Sequence, residues 1–161
     1  MEGGDAQEGI TLMERALARQ RETGGNFLSS YNLSRLAQAH ARSGNVAKAL
    51  KFAIGGAEEV QRTGELWWMA EAERIKGEIL LLSATRNRRE AEACFLRALR
   101  CARSQGAKLW EVQSATSLAR LWRQTGRSKD AKELLKPLCE AFPATCDLAP
   151  LIDARVLLNQ A

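Results

Sequence analysis

The chain has 161 residues, is 45% hydrophobic and carries a formal charge of +5, enough for one domain with a real core and too apolar for a disordered tail. No run approaching about 18 apolar residues occurs, and the opening MEGGDAQEGI lacks the basic-then-apolar pattern of a secretory signal, so the sequence predicts a cytoplasmic protein without membrane contact. The charge excess is mild and interleaved, as in Arg88-Arg89-Glu90-Ala91-Glu92, a pattern typical of solvated helix faces.

The first periodic stretch, residues 9–22, places Ile10, Met13 and Leu17 on one stripe at helical spacing and stops at Thr23-Gly24-Gly25. By register it is the second helix of a pair whose first helix is missing. Its apolar flank is then covered by something else, a second copy in a homo-oligomer for example, or the chain is part of a longer protein.

Residues 26–62 form the first complete pair. Phe27, Leu28, Tyr31, Leu33, Leu36, Ala37 and His40 give its first helix a wide apolar face, Ser43-Gly44-Asn45 breaks it, and Ala49, Leu50, Ala53, Ala57 and Val60 continue on the second. Gly55-Gly56 inside that helix costs about 1 kcal/mol per glycine against alanine, which close approach of a neighbouring helix would justify for at least one of them.

Residues 66–104 form the second pair. Trp67, Ala70, Ile75, Ile79 and Leu82 make one inward stripe and Ala91, Phe95, Ala98, Leu99 and Ala102 the other, with Thr85-Arg86-Asn87 replacing the glycine turn by a slightly longer break. The third pair, residues 109–142, is split at Gly126. Ser128 has the character of an N-cap, with Asp130 near the helix start, and Pro137 predicts a kink or an early stop near residues 135–136. Pro143 ends the unit. Pro150 suits the first turn of a capping helix over residues 150–160, with Leu151, Ala154 and Leu158 inward and Asp153, Arg155 and Asn159 as a polar outer face.

These units repeat. Gly24, Gly64 and Gly106 fall 40 and 42 residues apart, and Ala49, Ala91 and Ala131 fall 42 and 40 apart. Self-similarity at this period marks a solenoid, in which each helix pair buries its apolar face against its neighbours. The sequence therefore predicts an all-α chain, one domain over residues 1–161, built as an α-solenoid of three antiparallel pairs with a leading orphan helix and a capping helix. Gly77, Ala91, Phe95 and Ala98 resemble the small–alanine–aromatic–alanine pattern of the tetratricopeptide repeat (TPR). Ala37, Ala49, Ala53 and Gly56 follow it with the aromatic lost, and Ala119 and Ala131 match its first two positions. Small residues belong where helices cross closely. HEAT repeats have a similar period but do not call for these small positions. The strings RTGELWWMAEAERIKGEILL, AEACFLRALRCARSQGAKLWEVQSATSLARLWRQTGR and DLAPLIDARVLL resemble the C-terminal repeat region of bacterial signalling proteins with a STAND-class ATPase and a nucleotide-cyclase or helix-turn-helix output domain. That resemblance implies a sensor or protein-docking module. The sequence has no GxxxxGK[ST] motif and no output domain, so only the repeat role carries over.

In such repeats the first helices line the concave face. Counting from the small residues gives Tyr31, Ser34, Gln38 and Arg42, then Glu71, Arg74 and Glu78, then Gln113, Thr116, Arg120, Arg123 and Gln124 as candidate partner-binding positions. The last set is cationic with amide neighbours, suited to a carboxylate or an acidic peptide, although an ordinary solvated face has the same composition. Trp67 and Trp68 are adjacent and diverge by about 100° on a helix, so one of them is semi-exposed while Trp110 and Trp122 read as core.

Chemistry beyond binding finds little support. Cys94, Cys101, Cys139 and Cys146 pair off at seven-residue spacing, two helical turns apart and too far for a disulfide. They read as buried small residues. No CxxC occurs and His40 is the only histidine, so no metal, cofactor or nucleophile–base site is predicted, and no enzyme. Arg86, Arg88, Arg89, Arg97, Arg100 and Arg103 form a basic outer set that a nucleic acid could use, which makes an accessory domain of a transcriptional regulator the alternative function. The lack of interleaved aromatics and the presence of Glu90 and Glu92 argue against it. The favoured reading is a non-enzymatic scaffold that holds a protein or peptide partner on its concave face.

Overall fold

The computed structural model describes residues 2–160. Among the described residues there are eight α-helices and no strand: α1 (Glu2–Glu22), α2 (Ser29–Arg42), α3 (Val46–Thr63), α4 (Met69–Ser83), α5 (Arg88–Ser104), α6 (Lys108–Gln124), α7 (Ser128–Glu140) and α8 (Ala149–Asn159). Single 3-10 turns at Leu66–Trp68 and Thr85–Asn87 precede α4 and α5. The architecture is the all-α solenoid that the periodicity predicts.

The breaks are short, so each helix folds back on the last and the pairs α2/α3, α4/α5 and α6/α7 form. Each outer helix also packs on the next inner one. The inner helices α2, α4, α6 and α8 touch in series, whereas α3, α5 and α7 make no comparable contact with one another. The row therefore curves with the even-numbered helices on its concave side. Its apolar interior is a sequence of local cores. Ile10, Leu17, Leu33 and Leu36 form the first, Ala49, Val60, Trp68 and Ile75 lie in the second, and Phe95, Leu118, Leu121, Leu135 and Leu151 lie in the third. Nearest-neighbour packing of this kind is what a repeat period of this length implies.

Local chemistry sets the helix ends. Gly64 closes α3 in the left-handed region (φ 73°), with its N–H donating to the Val60 carbonyl at 3.1 Å. The break before α5 has no glycine. There Asn87 Nδ2 donates to the Leu80 carbonyl at 3.3 Å and to Ser83 Oγ at 2.7 Å, which satisfies the end of α4 by side chain. The small positions face close crossings. A Cβ at Gly77 would lie 2.6 Å from the Phe95 ring, and one at Gly56 would lie 3.0 Å from Ser34 Oγ, while Gly55 faces open space. One of the two mid-helix glycines thus has the packing reason that its cost demands.

Several boundaries and faces differ from the sequence reading. α1 begins at Glu2, ahead of residue 9. Leu28 adopts a left-handed conformation (φ 56°), so α2 starts at Ser29 and Phe27 lies outside it, 80% exposed, off the apolar face assigned to it. The 3-10 turn ahead of α4 rotates Trp68 inward and Trp67 outward, and Leu82 also faces solvent. α7 runs through Pro137 to Glu140 without stopping. Pro137 and Glu133 are both exposed, so the carbonyl deprived of its donor meets water rather than core. Ser128 begins α7 after Arg127 and makes no side-chain cap, and Asp130 instead accepts from Arg127 Nε at 2.8 Å. Leu157 takes the buried place expected of Leu158 on α8. Arg155 turns back and donates to the carbonyls of Phe142, Pro143, Ala144 and Cys146, leaving Leu148, Ile152 and Val156 outward where a polar cap was expected.

Candidate functional site

Three successive inner helices enclose a hollow of about 260 Å3, with Arg74 from α4, Gln113, Thr116, Ser117 and Arg120 from α6, and Ala149, Pro150 and Asp153 from α8. It lies on the concave side because only the inner helices contribute to it. Of the twelve positions named from sequence, Arg74, Gln113, Thr116 and Arg120 meet here.

The arginines do not arrive with free charge. Arg74 donates through Nε and Nη2 to the two oxygens of Glu71 at 2.7 and 2.6 Å, and through Nη1 to Glu78. Burial alone would loosen its proton, but the bonds and charges of Glu71 and Glu78 outweigh that and push its pKa up. Glu78 also accepts from Ser117 Oγ at 2.9 Å, which ties α4 to α6. Arg120 reaches Asp153 across the mouth at 3.2 Å, an exposed pair of modest strength. Arg74 is thus tied to Glu71 and Glu78 on its own helix, and Arg120 shares its charge with Asp153 across the mouth. The lining is polar and mixed in sign, with Arg74 and Arg120 against Asp153. Thr116 Oγ1 donates to the Val112 carbonyl at 2.7 Å and keeps its acceptor lone pairs. Gln113 Oε1 is buried with no hydrogen-bond partner, an omission costing about 1–3 kcal/mol unless a donor reaches it.

The remaining positions lie elsewhere. Ser34 is buried, donating to the Ser30 carbonyl at 2.8 Å and accepting from Trp68 Nε1 at 3.1 Å. Tyr31 packs edge-on against Trp68 with ring centroids 4.9 Å apart. Gln38 accepts from Arg35 at 3.1 Å. Arg42 rims a separate groove between α1 and α2. Arg123 donates to the Gln160 carbonyl at 3.0 Å, closing the end of α8, and Gln124 is exposed beyond the hollow. Position counting put these residues on the right helices but could not see which neighbour would cover them. It misses Pro150 and Asp153, because residues 150–160 read as a cap, and it misses Ser117, which stands next to Thr116 on α6. The spacing of Leu151 and Ala154 was the signal that α8 serves as a fourth inner helix.

A second feature lies where inner helices begin. Trp68 packs 5.3 Å from Trp67 and 5.8 Å from Trp110, centroid to centroid. Trp67 remains 46% exposed beside Leu66. On the outer side, Arg97 pairs with Glu73 and Arg103 with Glu111, which further dilutes the basic set there. No described helix is long and apolar enough to cross a membrane.

An α-solenoid of TPR-like helix pairs is thus the class that the fold defines. Two solved structures of a kinesin light chain-like protein from Podosopora anserina with nearly identical TPR-like repeats, one of them a point variant, superpose on it with TM-scores of 0.76 and 0.73. They cover 99% of this chain and 78% of their own, at 17% and 18% identity. No family model and no curated protein matches the sequence.

Proposed function

We propose that this chain is a non-enzymatic interaction module that holds an extended segment of a partner protein in the hollow between α4, α6 and α8. The observation that supports this best is the buried, unpartnered Gln113 Oε1 in a cleft of mixed polarity. When the Gln113 side chain turns into the cleft, a peptide backbone N–H supplies the missing donor, and the peptide's carbonyls meet Arg120, whose pairing with Asp153 is exposed and readily exchanged. With Arg74 tied to Glu71 and Glu78 and Arg120 to Asp153, the arginines are already paired, and recognition rests on hydrogen bonding more than on net charge. A regulatory role in bacterial signalling is the finer form of this reading, resting on the resemblance of residues 63–126 to the repeat regions of STAND-class proteins.

Selection of binders from a random peptide library on the 161-residue chain, followed by calorimetry, tests it. Selected peptides should bind about tenfold or more weakly to Gln113→Ala and Arg120→Ala. Peptides indifferent to both variants, or salt-sensitive retention on nonspecific DNA in place of peptide binding, would overturn it.

A further inference from the structure

The indole left outward ahead of α4 is one member of a series. α2, α4 and α6 all begin at the edge of the row where α1, α3 and α5 end. Phe27, Trp67 and Leu109 each stand three residues after a left-handed glycine, at 24, 64 and 106, and they are 80%, 46% and 37% exposed. Leu66, also exposed, widens the middle member. Scattered apolar residues are ordinary on a surface, but an apolar side chain returned to one edge by three successive repeats marks a place of contact.

The turns that carry this strip are held in place. Gln20 Nε2 donates to the Phe27 carbonyl, Arg62 Nη2 to Asn26 Oδ1 at 3.0 Å, and Gln105 Nε2 to the Leu66 carbonyl, so the turns before α2 and α4 are tied to the ends of outer helices. Leu28 takes a left-handed conformation (φ 56°), which a bulky residue adopts only under constraint, and this is what presents Phe27 to solvent. Beside the strip Arg19, Arg21, Arg62, Arg103 and Lys108 are exposed. The neighbouring carboxylates are engaged: Glu59 by Arg62, Glu65 by Ser30, and Glu111 by Arg103 and Lys108. Glu22 is the exposed acid among the described residues of these helix ends, so an approaching partner meets mostly cations.

We propose that this edge docks an amphipathic helix of a partner protein, apolar at every seventh residue and acidic on its flanks, laid along the row against Phe27, Trp67 and Leu109. Spacing selects a helix. Packed helices lie about 8–10 Å apart, and the inner helices touch in series, so the strip repeats at about that interval. Residues seven apart on an α-helix are about 10.5 Å apart and share one face. On a β-strand the same-face interval is about 6.7 Å, which falls out of step with the strip. Charge selects acidic flanks, which meet the exposed arginines and lysine without competing for the buried apolar contacts. The edge shares no residue with the hollow between α4, α6 and α8.

Selection on the 161-residue chain from a displayed library of helical peptides of about 21 residues, long enough to span about 30 Å, tests it. Enriched peptides are then titrated by fluorescence anisotropy, with each variant checked for native helicity by circular dichroism. They should carry apolar residues seven apart with Asp and Glu on either side, and should bind about tenfold or more weakly to Phe27→Ser and to Trp67→Ser. Phe27 is too exposed for its loss to disturb the core, so that variant stays informative if Trp67→Ser unfolds. Arg21→Glu should weaken binding a few-fold at low salt and flatten its salt dependence. Gln113→Ala and Arg120→Ala should leave binding unchanged, which separates this edge from the hollow. A library that yields no enriched peptide overturns the proposal, as do enriched peptides that are basic, that lack the seven-residue spacing, or that bind Phe27→Ser and Arg21→Glu like the parent. So does pelleting of the parent, but not of Phe27→Ser, with phosphatidylcholine–phosphatidylglycerol vesicles, which would assign the strip to a lipid surface.

Discussion

Gly77→Ala places a methyl group at the tightest crossing in the fold. The new Cβ would stand 2.6, 2.9 and 3.1 Å from three atoms of the Phe95 ring, where carbon atoms ordinarily rest about 3.5–4.0 Å apart. Phe95 is fully buried, so its ring cannot swing away and either α4 or α5 must shift. Overpacking of this kind costs about 1–3 kcal/mol. Alanine returns about 1 kcal/mol through helix propensity, so the observed loss is smaller than the clash. Gly55→Ala supplies the reference, because it gains the same propensity with nothing within 4 Å of its Cβ. The stability difference between the two variants then isolates the clash at about 1–3 kcal/mol, read as a change in urea midpoint at unchanged slope by far-UV circular dichroism. A second substitution, Phe95→Leu, should narrow that gap. Equal stability of the two alanine variants would refute the reasoning, since α4 and α5 would then not meet at residue 77 as described.

Ser34→Ala strands the buried indole N–H of Trp68, and a loss of about 1–3 kcal/mol in denaturant unfolding is expected; a neutral result would mean the indole finds water instead. Glu111 is buried, which on its own raises its pKa, but the hydrogen bonds from Arg103 at 2.8 Å and Lys108 at 3.1 Å more than compensate and hold it below the ordinary value of 4.5. A depressed carboxylate contributes stability that is fully present above the unfolded pKa and is lost as pH falls through the folded one. Glu111→Gln should therefore flatten the loss of stability below about pH 4.5, and an acid limb unchanged by the substitution would count against the pair. Burial, with Glu73 nearby, pushes the Cys94 thiol up to about 11, so iodoacetamide at neutral pH should modify it only as the chain unfolds. Modification of the native chain at the rate of a free thiol would contradict that environment.

The architecture was legible because its signal is redundant. Ala49, Ala91 and Ala131 recur at the repeat spacing, and Gly77 opposite Phe95 is the crossing that this recurrence implies. The helix starts were less legible, because a left-handed Leu28 and a 3-10 turn at Leu66–Trp68 shift the register without leaving a compositional mark. The candidate site was legible by helix but not by neighbour. Arg74 and Arg120 stand where counting put them, yet their charge depends on Glu71, Glu78 and Asp153, and the last comes from a helix assigned to another role. Ser34 shows the same limit. A serine at a groove-facing position lies beneath Trp68 because the preceding turn swings the indole over it.

The crowding of Trp67, Trp68 and Trp110 at one joint has a practical consequence for anyone following this molecule by its ultraviolet emission. Three of the four indoles lie within 6.5 Å of a neighbour in that cluster, so quenching and energy transfer among them will dominate the spectrum. A fluorescence trace will thus report the middle of the row. Fraying at α1 will pass unseen unless a probe is placed there.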